Sequence, residues 1–234
     1  GELDPYARLT EEESSIAKEG GRLVGRATDP VAGGLSLDAI LGADFFARTG
    51  GEALLLGAGG STLALSLHLL QKPQPGDRPR RVVVVNRSAG RLARLRQMVE
   101  QFDSAIQFEY IQNETPVRND ELLAALPPAS LVINATGMGK DTPGSPLTDD
   151  AHFPQRGVVW ELNYRGALDF LRQARSQQSA RHLTLADGFQ VSGTISSYGG
   201  LTASFSGSPR DLSGYVGVQF EVKGSGNYWF QVAQ

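Results

Sequence analysis

A glycine-rich turn between an apolar run and a helical pattern carries the strongest chemical signal in this chain of 234 residues. The turn follows residues 53–56 and reads Gly57-Ala58-Gly59-Gly60-Ser61-Thr62. The first amides of a helix lack intrahelical partners, and the helix dipole adds positive potential beside them. A turn that opens a helix in this way is therefore suited to binding a phosphate or diphosphate group.

Two glycines of this turn have separate physical roles. Gly57 allows a tight exit from the strand, and Gly59 lets the backbone approach a pyrophosphate without a Cβ in the way. Thr62 stands where the GxGxxG pattern has its third glycine, so a purely structural turn is the alternative; the strand and helix around it favour nucleotide binding. The predicted pyrophosphate-binding residues are Gly57, Ala58, Gly59, Gly60 and Ser61.

A second apolar run, residues 82–85, ends in polar and cationic residues. An NAD-binding site usually presents an acid to the ribose at this position. A guanidinium can instead hold a 2′-phosphate through charge-assisted hydrogen bonds. Solvated residues at a helix start are the alternative, although the helix dipole disfavours arginine there. The sequence therefore predicts NADP rather than NAD, bound at this end by Asn86, Arg87, Ser88 and Arg91.

Apolar runs alternate with helical patterns through the middle of the chain. The runs cover 54–56, 82–85, 131–134 and 158–162, and the helical patterns cover 62–70, 91–102 and 119–126. Continuous apolar strands separated by amphipathic helices predict a parallel sheet covered on both faces. We therefore expect an α/β fold, a doubly wound Rossmann-like domain over residues 31–187, with ligands beyond the carboxyl ends of the strands.

The pattern changes after Asp187. Apolar and polar residues alternate with a period of two in four short segments of 188–234, separated by Gly, Ser, Pro and Asn. This alternation predicts a short all-β antiparallel C-terminal segment. Four short strands cannot close a sandwich or barrel alone. They either pack on something else or belong to a fragment of a larger domain, and we favour the fragment.

Composition narrows the class of protein. The net charge of −3 gives no support for nucleic acid or a membrane surface as partner. No uninterrupted run approaches the roughly 18 apolar residues of a membrane span, and no signal-peptide layout opens the chain. The absence of cysteine excludes disulfides and thiolate zinc sites, and His68, His152 and His182 are too scattered for a metal site. We expect a soluble, cytoplasmic protein without a metal.

Several motifs in order resemble the cofactor domain of the shikimate dehydrogenase family. They are residues 57–61, 86–88, 134–136 and 161–164, and the segment 21–30 is similar to the family's passage from substrate domain to cofactor domain. The resemblance covers roughly residues 3–188. It implies reversible hydride transfer between NADP and the ring carbonyl of 3-dehydroshikimate or a related cyclic polyol acid, a step of aromatic amino acid biosynthesis.

The resemblance assigns catalysis to a Lys–Asp pair. Asp29 matches the aspartate; a turn or capping acid before Pro30 is the alternative. The lysine belongs to the family's N-terminal substrate domain, of which residues 1–30 are a remnant and connection, and Lys18 does not sit in that motif. The missing half would come from another chain or domain. Without the lysine, the general acid–base catalysis that contributes about 10²–10⁴-fold to the reaction rate is absent.

The resemblance also implies roles at other strand ends. Asn134, Ala135 and Thr136 would face the cofactor crevice, Leu162 would lie near the nicotinamide and Tyr164 would contact the small-molecule substrate. A simple strand-end turn and a rim aromatic are the alternatives. Gly188 is a further cofactor-binding candidate, although the family continues there with a helix carrying a substrate-binding glutamine and this sequence changes to the β pattern.

The last 45 or so residues are similar to the jelly roll of complex I intermediate-associated proteins and family 11 carbohydrate-binding modules. The similarity implies a carbohydrate partner, because an aromatic face can bury the C–H face of a sugar. Trp229 is the better exposed candidate, and alternation favours core packing for Tyr228. Two hypotheses therefore stand: an NADP-dependent, shikimate-dehydrogenase-like oxidoreductase, or a non-catalytic nucleotide-binding or carbohydrate-binding fusion. A chimera of two families would explain the abrupt change of pattern after Asp187.

Overall fold

The computed structural model describes residues 1–140 and 142–187. The N-terminal part forms a small sheet of β1 (Glu2–Leu3), β2 (Ser15–Glu19) and β3 (Arg22–Arg26), with helix α1 (Pro5–Thr10) between its first two strands. β3 lies in the middle, parallel to β1 and antiparallel to β2. Gly20 and Gly21 both have positive φ, so they make the tight connection between β2 and β3.

An apolar segment, residues 29–49, connects the small sheet to the rest of the molecule. By length and composition it could cross a membrane, with a mean hydropathy of 1.2. In the structure it forms two helices, α2 (Asp29–Leu41) and α3 (Phe45–Thr49), because the chain turns at Gly42 and Asp44, which have φ angles of 71° and 53°. Leu37 of α2 and Phe46 of α3 are buried in the core, so the segment acts here as a packing element.

The main body is a six-stranded parallel sheet. Its strands are β4 (Ala53–Leu56), β5 (Arg81–Asn86), β6 (Gln107–Gln112), β7 (Leu131–Asn134), β8 (Val158–Glu161) and β9 (Thr184–Asp187). Their order across the sheet is β6-β5-β4-β7-β8-β9, and every pairing is parallel. This architecture confirms the predicted doubly wound α/β fold, and each predicted apolar run lies on a strand.

Helices cover both faces of this sheet. They are α4 (Gly60–Gln71), α5 (Ala89–Val99), α6 (Pro116–Ala124) and α7 (Asp169–Arg181). Alternate strand residues separate into two clusters: Leu55, Val84 and Trp160 pack with α2, α4 and α5, whereas Leu54 and Val83 pack with α6 and α7. Strands buried on both faces must be apolar at every position, which explains the continuous runs in the sequence.

The strand order identifies where a ligand can bind. The chain proceeds outward from β4 through β5 to β6, then returns to the other side of β4 and proceeds through β7 to β9. In such sheets the crevice lies beyond the carboxyl ends of the strands where this reversal occurs. The loops after β4, β5, β7 and β8 therefore border the site. The predictions for Gly188 and for the segment 188–234 lie outside the described residues.

Candidate cofactor-binding site

The turn after β4, residues 57–62, is called the phosphate turn below. Gly57 has a φ of 113°, and a Cβ at this position would lie 2.6 Å from the carbonyl oxygen of Ala135 in the loop after β7. Its amide donates to the carbonyl of Val85, at 2.7 Å. The Thr62 hydroxyl, fully buried, donates to the carbonyl of Gly57 at 2.8 Å. Gly57 thus has the predicted conformational role, and Thr62 closes the turn from inside the helix.

The N-terminus of α4 has no side-chain cap. Gly59 is the N-cap residue, and no side chain of the described residues caps the helix. A Cβ built on Gly59 would meet no atom within 4 Å, so the protein leaves room directly beside Gly59. The first amides of a helix lack intrahelical partners, and together with the helix dipole and the room at Gly59 they suit a phosphate group.

An acidic side chain from the N-terminal part lies beside this opening. The Glu12 carboxylate is so close to Gly60 that a Cβ at Gly60 would collide with it. Arg94 of α5 holds the segment in place: its Nη1 lies 3.4 Å from Glu12 Oε1, and its Nη2 donates to the carbonyl of Thr10. Sequence analysis did not predict this contact, because Glu12 belongs to a run of three glutamates typical of a solvated surface.

We expect Glu12→Gln to raise the affinity for NADPH by about three- to tenfold, because the variant removes a partly exposed negative charge beside the pyrophosphate position. Fluorescence titration at low and moderate salt would measure the change. Glu11→Gln is the matched control, since Glu11 also lies near Arg94, at 3.7 Å, and is largely exposed. A lower affinity in Glu12→Gln would instead mean that Glu12 organises the turn through Arg94.

The end of β5 carries two arginines whose guanidinium groups have no carboxylate partner in the described part of the chain. Ser88 is the N-cap of α5, and its hydroxyl accepts from the Arg91 amide at 3.3 Å. Arg87 and Arg91 are exposed, and within the described ranges no carboxylate pairs with either guanidinium. The buried Nδ2 of Asn86 has no hydrogen-bond partner among the described residues. A buried donor without an acceptor is costly, so this strand end fits a polar, anionic ligand group.

The carboxyl ends of β7 and β8 are joined by a buried polar network. Asn134 and Glu161 face each other across the two strands, and Asn134 Nδ2 donates to Glu161 Oε2 at 2.8 Å. Asn134 Oδ1 accepts from the Thr136 hydroxyl at 2.6 Å and from its amide at 3.1 Å. The predicted residues 134–136 therefore form a strand-end turn whose shape depends on hydrogen bonds to β8.

Burial raises the pKa of Glu161 from its ordinary 4.5 to about 7, although hydrogen bonds from Asn163 and Asn134 act in the opposite direction. A carboxyl whose pKa is higher in the folded than in the unfolded state stabilises the fold below its unfolded pKa, and this contribution is lost as the pH rises. As the pH rises from 4.5 to 7, we expect the ionisation of Glu161 to lower the free energy of unfolding by about 3 kcal/mol in total.

Urea unfolding of wild type and Glu161→Gln across that pH range would measure this cost. The difference between their free energies of unfolding should change with pH. Glu109→Gln, which removes a carboxylate paired with Arg81 on the edge strand β6, is the control for the loss of one carboxylate elsewhere. A constant difference between wild type and Glu161→Gln would contradict the raised pKa.

The remaining predicted residues occupy different surroundings. Asp29 begins α2, is exposed, and lines a small cavity together with Glu12, Glu13 and Gly60, so it lies near the phosphate turn. Tyr164 is exposed, with the charged groups of Lys140 and Arg165 5.2 and 5.7 Å from its ring centre. Leu162 is buried in the cluster that contains Ala58. These placements leave the assigned roles as predictions.

The chain was compared with families, curated proteins and solved structures. No family model matches the chain. The shikimate dehydrogenase (NADP(+)) of Symbiobacterium thermophilum is 35% identical over 185 residues, covering 74% of this chain and 56% of that protein. The shikimate dehydrogenase (NADP(+)) of Methylobacterium radiotolerans is 35% identical over 144 residues, covering 62% of this chain and 45% of that protein. Over the matched residues the chain is similar to shikimate dehydrogenases.

Solved structures show the same similarity. Shikimate 5-dehydrogenase from Thermus thermophilus, in complex with NADP(H) and shikimate, superposes with a TM-score of 0.53 at 28% identity, covering 78% of this chain and 58% of that one. The enzyme from Listeria monocytogenes, at 17% identity and a TM-score of 0.57, shows the shared fold alone. The chain spans about half the length of the curated shikimate dehydrogenases it matches.

Three residues at the site are not predicted from the sequence: Glu161, Asn163 and Glu12. Glu161 and Asn163 lie in the motif 161–164, where the resemblance gives roles only to Leu162 and Tyr164. Glu161 was detectable in principle, because it is a charged residue at the end of an otherwise apolar buried strand. Glu12 carried no such signal, since its neighbours are equally polar.

Proposed function

We propose that this chain binds NADP and works as a shikimate-dehydrogenase-like oxidoreductase. The reaction is reversible hydride transfer between the nicotinamide and the ring carbonyl of 3-dehydroshikimate or a related cyclic polyol acid. One observation carries the proposal: the helix N-terminus after β4, which has no side-chain cap among the described residues and room at Gly59, lies beside the end of β5. The guanidinium groups at that strand end have no carboxylate partners in the described residues. The names of the related dehydrogenases support the same cofactor and substrate class.

Each phosphate of NADP has a suitable set of donors here. The amides of the phosphate turn, around Gly59 and Ser61, bind the pyrophosphate. Arg87, with Arg91 one turn further along α5, binds the 2′-phosphate, and the unpartnered Nδ2 of Asn86 donates to the nearby adenosine half. An acid at this strand end would repel the 2′-phosphate, whereas the guanidinium groups attract it. The arrangement therefore favours NADP over NAD by charge.

The nicotinamide and the substrate occupy the other half of the crevice, at the carboxyl ends of β7 and β8. The turn after β7 and the exposed Tyr164 border the nicotinamide and the substrate. Reduction of a ketone requires a proton at the carbonyl oxygen as well as a hydride at carbon. Asp29, at the start of α2 on the phosphate-turn side of the crevice, is the carboxyl that we assign to proton transfer and substrate positioning. Bound NADP supplies or accepts the hydride.

A titration with both cofactors tests the proposal. We expect NADPH to bind more tightly than NADH, with an affinity that falls as salt rises, because phosphate contacts dominate. NADPH formation from NADP⁺ and shikimate, followed by its near-ultraviolet absorbance, tests turnover. Asp29→Asn should lower turnover without weakening NADPH binding. Binding without turnover would favour the non-catalytic nucleotide-binding alternative. Equal, weak binding of both cofactors would refute the NADP site.

A further inference from the structure

A buried carboxylate holds the turn that follows β7, residues 134–138, called the β7 turn below. Glu161 ends β8 and has no exposed surface. Its Oε1 accepts from the backbone amide of Asn163 at 2.8 Å, and its Oε2 accepts from Asn134 Nδ2 at 2.8 Å. The donors that reach this carboxylate, among the described residues, are amides.

The side-chain amides of the same two residues reach the β7 turn from both sides; Asn163 donates to Glu161 through its backbone amide and to the turn through Nδ2. Asn134 is fixed with Nδ2 toward Glu161, which leaves its Oδ1 toward Thr136, where it accepts two hydrogen bonds. Asn163 Nδ2 donates to the carbonyls of Thr136 and Met138, each at 3.0 Å. The Thr136 hydroxyl in turn accepts from the Met138 amide at 3.2 Å. The turn is therefore tied at several points to partners that Glu161 orients.

The charged residues on the neighbouring strands and loops do not explain why a carboxylate is buried at this position. β7 has no ionisable residue. β9 places Asp187 beside Glu161 in the sheet register, and Asp187 lies 3.6 Å from Arg175 of α7. Lys140 and Arg165, on the neighbouring loops, lie over the ring of Tyr164.

Among the described residues no cation pairs with Glu161. A buried charge without a cation is expensive, so its retention calls for a geometric reason. A carboxylate offers two acceptor oxygens, whereas the amide of glutamine offers one oxygen and a competing donor. Only the carboxylate can therefore accept from Asn134 and Asn163 at the same time. Replacement by glutamine, of nearly equal size, would set an N–H group against one of these donors.

We propose that Glu161 is a positioning residue: its carboxylate orients Asn134 and Asn163 so that the β7 turn keeps the shape required at the nicotinamide side of the crevice. The part concerning the nicotinamide rests on the proposed NADP site. The part concerning the turn rests on hydrogen bonds within the chain. Protonation of Glu161 removes one acceptor, so the shape of the turn depends on pH near neutrality, consistent with a pKa of about 7.

Nuclear magnetic resonance of the free chain tests the turn directly. We expect the backbone amide signals of Thr136 and Met138 to shift together as the pH crosses neutrality. In Glu161→Gln these signals should be displaced from the start and should no longer titrate. Glu161→Asp keeps two acceptor oxygens and should recover part of the titration, while Glu109→Gln should behave as wild type. Unchanged signals in Glu161→Gln would overturn the proposal.

NADPH titration tests the link to the cofactor. Glu161→Gln should weaken NADPH binding about tenfold, and Glu161→Asp should recover part of it, because a misdirected buried donor costs a hydrogen bond. Normal NADPH affinity with a displaced turn would overturn the cofactor role. If wild type fails to bind NADPH while its turn titrates as described, the NADP site fails and the orienting role of Glu161 in the turn is upheld. Should Glu161→Gln not fold, Glu161→Asp is the second variant: backbone amide signals of Thr136 and Met138 identical to those of wild type, despite the shortened side chain, would overturn the proposal.

Discussion

Replacing Arg87 by alanine will weaken NADPH binding by about 10- to 100-fold and leave NADH binding nearly unchanged, because the lost contact is a charge-assisted hydrogen bond to the 2′-phosphate. The guanidinium is exposed at the end of β5 and has no carboxylate partner within the described residues, so its removal breaks no ion pair that the structure shows. Stability should therefore change little. Equilibrium fluorescence titration of both cofactors measures the selectivity.

Arg80→Ala is the matched control for this variant. Arg80 is also exposed and adjoins the same strand, but it precedes the amino end of β5 and so lies away from the predicted site. The two variants change the net charge equally. If Arg80→Ala weakened NADPH binding as much as Arg87→Ala, or if Arg87→Ala weakened NADH equally, general electrostatic attraction would replace specific recognition of the 2′-phosphate.

Gly57→Ala will destabilise the fold by about 3–4 kcal/mol, through a backbone conformation unfavourable to alanine combined with a steric clash. The φ of Gly57 is 113°, and a Cβ would lie 2.6 Å from the Ala135 carbonyl oxygen and 3.1 Å from the Thr136 amide nitrogen. Both contacts are with backbone, which cannot move aside as a flexible side chain would. Urea denaturation followed by circular dichroism measures the loss.

Gly59→Ala separates the structural glycine from the ligand-facing one. Gly59 has a φ of −94°, and a Cβ there meets no atom within 4 Å, so stability should stay within about 0.5 kcal/mol of wild type. NADPH affinity should fall all the same, because the methyl group occupies the approach of the pyrophosphate. Unaltered NADPH binding in a folded Gly59→Ala variant would place the diphosphate elsewhere.

The four central strands were predictable because burial on both faces requires apolar residues throughout. The structure adds β6 and β9, the edge strands, whose mixed exposure leaves no continuous apolar run to detect. α7 was missed for a related reason: its sequence is largely polar, and only one side, including Phe170 and Ala174, is buried. Edge elements bury one face, so their pattern is weaker than that of the centre.

The sequence by itself determined the doubly wound plan, the glycine turn and the cationic end of β5, because each depends on neighbouring residues and on a single period of apolar positions. Only the tertiary structure decided that Glu12 would lie over Gly60 and that Glu161 would meet Asn134. These groups are far apart along the chain, and their contacts arise when helices and strands pack. A local pattern records the conformation of a segment and whether it is buried, but it does not record which distant polar group shares its surroundings.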